Sequence, residues 1–318
     1  MKLSICPQPL YALGLEGALD AAASLGVEAL ELPVDASSPL VNLEDLLAGG
    51  AAELKKQLAL RSLTLSAVSN HQEGQLLLGP YHRDTDGICK GSAAEKTAFA
   101  EARLLRTAEV ASELEVEVVV GFLGCEDYTR FFPWPDPGGW ESMAQEFQDR
   151  VGRLLDRYDA LGVSFAQEPH PKQYVYNTET AFESVSLLNG HPRWGFNLDP
   201  ANLMLAGLDP VVFVQELSNR ILHVHAKDGE VVAHNAGRSG LLAHGPWDRK
   251  DRGFRFRIVG WGDVAWKRLI SELQMGEYDG YLAVENEDPV FSPMDGLQKA
   301  VAALKPLLPE GGREPPWW

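Results

Sequence analysis

Apolar residues fall into two alternating rhythms along this chain. Short β-rich runs near 2–6, 28–32, 62–68, 116–121, 163–168, 194–198, 221–226 and 280–285 predict strands. Between them lie segments whose apolar residues recur three and four apart. Examples are "AAELKKQLAL" (51–60), "AEKTAFAEARLLRTAEVASEL" (94–114) and "MAQEFQDRVGRLLDRYDAL" (143–161), which predict amphipathic helices. A weak internal echo joins the two rhythms. "AASLGVEALEL" (22–32), "ASELEVEVVVG" (111–121), "DALGVSFAQE" (159–168) and "QMGEYDGYLAVE" (274–285) each read as helix end, tight turn and strand.

Eight strand–helix units in 318 residues predict an α/β fold, a single (β/α)8 barrel over residues 1–308, followed by a loose Pro- and Gly-rich tail at 309–318. A doubly wound open sheet is the alternative. It would be expected to carry a Gly-rich phosphate turn after its first strand, where this chain has "CPQPLYALG". Loop lengths favour the barrel. Helix-to-strand connections are short, whereas three strand-to-helix connections are long, at 69–91, 122–139 and 227–262. In a barrel these share the C-terminal face of the strands, where active sites are built.

The strand ends on that face carry the chemistry. In "ILHVHAKDGE" (221–230) the alternation puts Leu222, Val224 and Ala226 on one face and His223 and His225 on the other. The fifth strand closes with Glu168 and His170, the sixth with Asp199, the eighth with Glu285 followed by Glu287 and Asp288. A lone strand-end histidine or carboxylate is commonly a hydrogen-bonded or solvated structural residue. Recurrence in four consecutive strands is what changes the reading. Buried carboxylates cost several kcal/mol unless paired, protonated or bound to a cation. Glu168, Asp199, His225 and Glu285 make an oxygen-rich set free of thiolate, suited to one divalent ion: Mn²⁺, or alternatively Mg²⁺, Co²⁺ or Zn²⁺.

Composition narrows the partners. A net charge of -17 and a pI near 4.9 argue against nucleic acid or an anionic membrane. The one basic stretch, "DRKDRGFRFR" (248–257), is diluted by two aspartates. Cys6, Cys89 and Cys125 are odd in number and lie far apart, which fits a reducing compartment without disulfides. No apolar run approaches a membrane span, and "MKLSICP" reads as a strand rather than a signal peptide, so a cytoplasmic location is expected.

At "NLDPANL", "HVHAKD", "FRIVGWGDVAWKRLISEL" and "YDGYLAVENEDPVFSPMDGLQKAV" the chain resembles the xylose-isomerase-like TIM barrels, the sugar phosphate isomerase/epimerases, over nearly its whole length. The resemblance implies a metal-dependent sugar isomerase or epimerase, in which Glu168, Asp199, His225 and Glu285 hold the ion and the two glutamates act as acid and base. A metal-stabilised enediolate would link the sugar isomers. Where the family has D-x-x-H this chain has Asn202, an amide that can bind a hydroxyl but cannot shuttle a proton. The same site chemistry would serve a lyase that cleaves a 3-keto-glycoside, as in C-glycoside deglycosidase α-subunits, or a dehydratase. His170 is then the extra catalytic candidate. A non-enzymatic sugar-binding relative is weakened by the intact ligand set. The endonuclease-IV branch is disfavoured by the acidic charge and by histidines this chain lacks.

The substrate-contact candidates are His71, Asn202, His223, Lys227 and Trp134. His223 can equally orient His225 from below, and Lys227 can equally pair with Asp228. Phe131, Phe132 and Trp140 are either a sugar-stacking surface or a loop packed on itself. Asp263 is expected to cap the helix that follows it. The long loops suggest a homo-oligomer, a dimer, with a β-subunit if the deglycosidase reading holds.

Overall fold

The computed structural model describes residues 1–132, 136–309 and 311. Trp134 and most of the expected tail lie outside the described residues. Eight parallel strands close into a barrel: β1 (Lys2–Ile5), β2 (Ala29–Pro33), β3 (Thr64–Asn70), β4 (Val118–Gly121), β5 (Ser164–Gln167), β6 (Trp194–Leu198), β7 (Ile221–Ala226) and β10 (Tyr281–Val284). Their order around the barrel follows the chain, and β1 pairs with β10 to close it. This is a single (β/α)8 barrel.

The strands form where the sequence pattern is β-rich, with one shift of register. The third was expected at 62–68 and runs Thr64–Asn70. Ser62, with φ +55°, is spent on the turn that ends the preceding helix Ala51–Leu60. Outside the sheet, apolar helix faces pack on the strands through aromatic contacts. Trp194 of β6 stacks on Phe165 of β5 at 6.0 Å and donates its indole N–H to Ser184 Oγ at 3.0 Å. Pairing that N–H satisfies the one polar atom of a large buried side chain.

Each long loop is pinned by specific contacts. Helix Ala93–Glu113 begins with a reciprocal cap between Ser92 and Glu95. Its fully buried Lys96 reaches back to the Tyr81 and His82 carbonyls, Thr85 Oγ1 and Asp86, which ties down the loop after β3. After β4 the chain passes so close to that loop that Gly124, at φ +86°, has no room for a side chain. A Cβ there would lie 1.9 Å from the Gln75 carbonyl oxygen.

Residues 227–262, expected as a loop, contain an antiparallel hairpin of β8 (Asp228–Val231) and β9 (Phe254–Arg257), with a short helix Ala233–Ser239 between them. The last four residues of the basic stretch are therefore strand, with Phe254 and Phe256 as its apolar face. Asp263 does not cap the following helix. That helix, Trp266–Met275, starts at Ala265 without a side-chain cap. The Asp263 carboxylate instead accepts the Val231 N–H at 2.8 Å and anchors the hairpin. Asp228 accepts N–H groups from Gly260, Val264 and the Trp266 indole, so it is a structural hub and no partner of Lys227. Among the described residues no helix is long and apolar enough to cross a membrane.

Candidate metal centre and active site

The C-terminal mouth of the barrel opens into a cavity of about 470 Å³. At its floor, His225 stands on β7 with both ring nitrogens facing carboxylates. Nε2 lies 2.8 Å from Glu31 Oε2, and Nδ1 lies 3.0 Å from Glu168 Oε2 and 3.2 Å from Glu285 Oε2. Glu168 follows β5 and Glu285 follows β10, so the two carboxylates reach this nitrogen from opposite sides of β7 and β6.

Asp199 ends β6 and caps the helix Pro200–Leu205, accepting the Ala201 and Asn202 N–H groups through Oδ1. The cap turns Oδ2 toward the mouth, where it meets Asn202 Nδ2 at 2.6 Å and Lys227 Nζ at 2.8 Å. Lys227 also lies 2.9 Å from Glu285 and 3.2 Å from Glu287. Its partners are these three carboxylates rather than Asp228, because β8 carries Asp228 away into the hairpin.

The ionisation states follow from this crowding. Burial disfavours the charge on Glu168, yet His225 and His71 outweigh it and hold the carboxyl well below its usual range. Glu285 behaves alike: burial is overcome by Lys227 and His225, and its pKa falls to about 2. Asp199 is pushed the other way, to about 7, by burial and by Glu168 and Glu285, against the pull of Lys227. Burial opposes the charge on His225, but Cys6 and the carboxylates of Glu31, Glu285 and Glu168 hold it well above the usual imidazole range.

These residues suit a divalent cation. Asp199, His225 and Glu285 form one group whose donor atoms lie within 4.8 Å of one another, and His71, Glu168 and His225 form a second. His225 Nδ1 is buried and makes no hydrogen bond, although carboxylate oxygens of Glu168 and Glu285 lie 3.0 and 3.2 Å away. Such orphaned polar atoms are costly unless a further group satisfies them. The donors are oxygen and imidazole nitrogen, the set expected for hard or borderline ions.

The other sequence candidates divide. His71, His170, Asn202 and Lys227 line the cavity. His71 Nε2 is 3.4 Å from Glu168 Oε2, and Asn202 donates to Glu168 Oε1 at 2.6 Å. His170 bonds the Pro171 carbonyl through Nδ1 at 2.6 Å, so that nitrogen carries the proton and Nε2 is left with its lone pair. Burial holds His170 below the usual imidazole range, so it is neutral.

His223, expected among the substrate contacts, sits one layer below the mouth, 3.1 Å from Glu31 Oε2, and lines a cavity at the other end of the barrel. One strand step of two residues separates its level from that of His225, which places it out of reach of the mouth. Trp140 belongs to packing. It stacks on Tyr174 at 5.0 Å and donates to Glu183. Phe131 is half-exposed against Tyr128.

Glu31 was missed. It lies in β2 between Leu30 and Leu32, fully buried, and hydrogen-bonds His225 Nε2 at 2.8 Å, with His223 Nε2 3.1 Å away. Burial works against its charge, but His225 and His223 prevail and keep it ionised. A carboxylate inside an apolar strand was the available signal. Asn197 of β6, which donates to Glu168 Oε2 at 2.9 Å, had only a comparable amide in an apolar run to mark it.

A family model described as xylose isomerase-like TIM barrel matches residues 19–307. The uncharacterized protein YfiH of Bacillus subtilis (strain 168) is 31% identical over 335 residues, covering 97% of this chain and 99% of that protein. Among solved structures, 3-keto-D-glucoside 4-epimerase YcjR from E. coli superposes with a TM-score of 0.70 at 14% identity, covering 96% of this chain and 99% of that one. The IOLI protein, solved with a bound zinc atom, superposes at 0.67 with 18% identity, covering 97% and 98%. At such identities the two structures attest the fold alone. The family model and the full-length relative go further: this chain belongs to the xylose isomerase-like TIM barrel family.

Proposed function

We propose that the protein is a divalent-metal-dependent sugar isomerase or epimerase, acting on a keto-sugar by moving the proton on the carbon beside the carbonyl. One observation carries this reading: Glu168 and Glu285 approach the same point, His225 Nδ1, at 3.0 and 3.2 Å from strands on either side. A substrate carbon seated over that point would have a carboxylate on each face. Both glutamates are held ionised, so either can take the proton and the other, once protonated, return it from the opposite face.

The ion would be held by Glu168, Asp199, His225 and Glu285, with Mn²⁺ as the proposed metal. When bound it polarises the carbonyl oxygen and makes the neighbouring C–H more acidic. Asn202 holds Glu168 and Asp199 in register through one amide nitrogen, which is a positioning role that a proton-shuttling histidine would not share. Lys227 bridges Asp199, Glu285 and Glu287 and balances part of the charge of these carboxylates.

A second reading has its own observation. His170 is neutral, with Nε2 unprotonated at the cavity wall, a third group able to take a proton. A lyase or dehydratase acting on a 3-keto-glycoside or related keto-sugar needs such a group when a β-substituent leaves.

The test is to incubate the Mn²⁺-loaded protein with a panel of keto-sugars in D₂O and follow the α-carbon by NMR. Solvent deuterium is expected there. Glu168→Gln and Glu285→Gln, resaturated with Mn²⁺, should fall about 10²–10⁴-fold in kcat, each keeping wash-in from one face. Near wild-type turnover by both variants would overturn the mechanism. His170→Ala should cost an epimerase little and should abolish a lyase, whose signature is release of an aglycone or water.

A further inference from the structure

The mouth is acidic. Asp35, Glu168, Glu285 and Glu287 line it, and Lys227 is the only lysine or arginine lining it among the described residues. That ammonium is already engaged by Asp199, Glu285 and Glu287. Barrels that take phosphate esters commonly bind the phosphate at the loops after the seventh and eighth strands, on backbone N–H groups at a helix N-terminus. Here those loops present Glu287 and the buried Asp288. The Asp288 carboxylate occupies the local donors itself, accepting from Arg257 Nε at 2.9 Å and the Ile258 N–H at 3.1 Å. The short helix at the mouth is likewise capped from within by Asp199. With Glu168 and Glu285 committed to the ion, an anionic substituent beyond it would still meet Asp35 and Glu287, and Lys227 is held by Glu287.

The hairpin supplies the opposite kind of surface. Trp247 lines the cavity while 45% exposed, with its ring 4.7 Å from that of Phe256 of β9. It is held in place from behind. The Arg252 guanidinium lies 3.8 Å from the indole centroid, is itself 2% exposed, and donates to the Gly245 and Pro246 carbonyls at 2.9 and 3.3 Å. A large aromatic ring kept rigid and open beside a polar cavity is suited to the C–H face of a sugar ring, whose hydroxyls stay with the polar wall.

We propose that the substrate is an uncharged polyhydroxylated keto compound, without phosphate or carboxylate, whose ring rests on Trp247 of the hairpin. The inference rests on the mouth being the substrate site, as in the function proposed above, and it names the class of compound that site takes. The acidic rim rejects esters and the indole selects the ring, so Trp247 is a specificity residue outside the proton-transfer machinery.

Calorimetric titration of the Mn²⁺-loaded protein with neutral ketohexoses and keto-cyclitols, each beside its own phosphate ester, tests this. At least one neutral compound should bind, with its ester weaker by about tenfold or more. Trp247→Ala should weaken the neutral compound about tenfold while leaving Mn²⁺ affinity unchanged. Glu287→Lys should narrow the gap between ester and neutral parent. Tighter binding of the ester, no binding of any neutral compound, or no effect of Trp247→Ala overturns the proposal. Running the same pairs in D₂O separates the two ideas. Exchange confined to esters overturns the substrate class and leaves the proton chemistry standing. Binding of a neutral compound without exchange does the reverse.

Discussion

Metal loading should expel protons, and their number follows from the charges at the mouth. The perturbation is pH between 6 and 8 on the metal-free protein. Glu168 and Glu285 are ionised throughout that range and release nothing. His225, raised well above the usual imidazole value, is protonated and must lose one proton for Nδ1 to coordinate. Asp199, at about 7, is mostly ionised at pH 8 and mostly protonated at pH 6. The sign is therefore fixed: both groups hold protons more tightly as pH falls, so metal affinity falls with them.

Release should be about one proton at pH 8, about 1.5 at pH 7 and about two at pH 6. Integrated over the interval, the apparent affinity for Mn²⁺ should drop by roughly 10³ from pH 8 to pH 6. Titration calorimetry in PIPES, HEPES and Tris, whose ionisation heats differ, gives the proton count as the slope of observed enthalpy against buffer enthalpy. A count of about 0.5 or less at pH 7 would mean that His225 is neutral there, and the pairing of its two nitrogens with Glu31 and the mouth carboxylates would be refuted.

Glu31→Gln should weaken Mn²⁺ binding about 10–100-fold, because an amide no longer favours the proton on Nε2 that frees Nδ1 for the ion; equilibrium dialysis measures it, and unchanged affinity would reduce Glu31 to a packing role. Lys96→Met should cost about 1–3 kcal/mol in urea unfolding, since it leaves the Tyr81 and His82 carbonyls and Thr85 Oγ1 without their buried donor; a loss under about 0.5 kcal/mol would show that the loop holds its shape by packing instead.

Much of the architecture was legible along the chain because it depends on local periodicity. The alternation in 194–198 and 221–226 reads as strand whatever lies beside it, and both runs are strands over the same residues. Strand ends then fall on one face by geometry alone, which is why Glu168, Asp199, His225 and Glu285 group together from sequence pattern. Partners of buried charge are another matter. Glu31 and His225 are 194 residues apart, and only closure of the barrel brings β2 and β7 inward to the same layer. Asp228 and Lys227 are adjacent in sequence yet point into different surroundings, because the hairpin leaves the barrel between them. Asp263 has the spacing of a helix cap but serves that hairpin, since a long-range N–H from Val231 reaches it where the helix start does not. Trp247 carried no periodic signal at all. Its place at the mouth comes from Arg252 behind it and Phe256 beside it, contacts that exist only once β8 and β9 have paired. Sequence pattern thus decided which residues form strands and which ends face the mouth, because both follow from local backbone geometry. Tertiary structure decided which charges meet, because that depends on distances set by closure of the whole barrel.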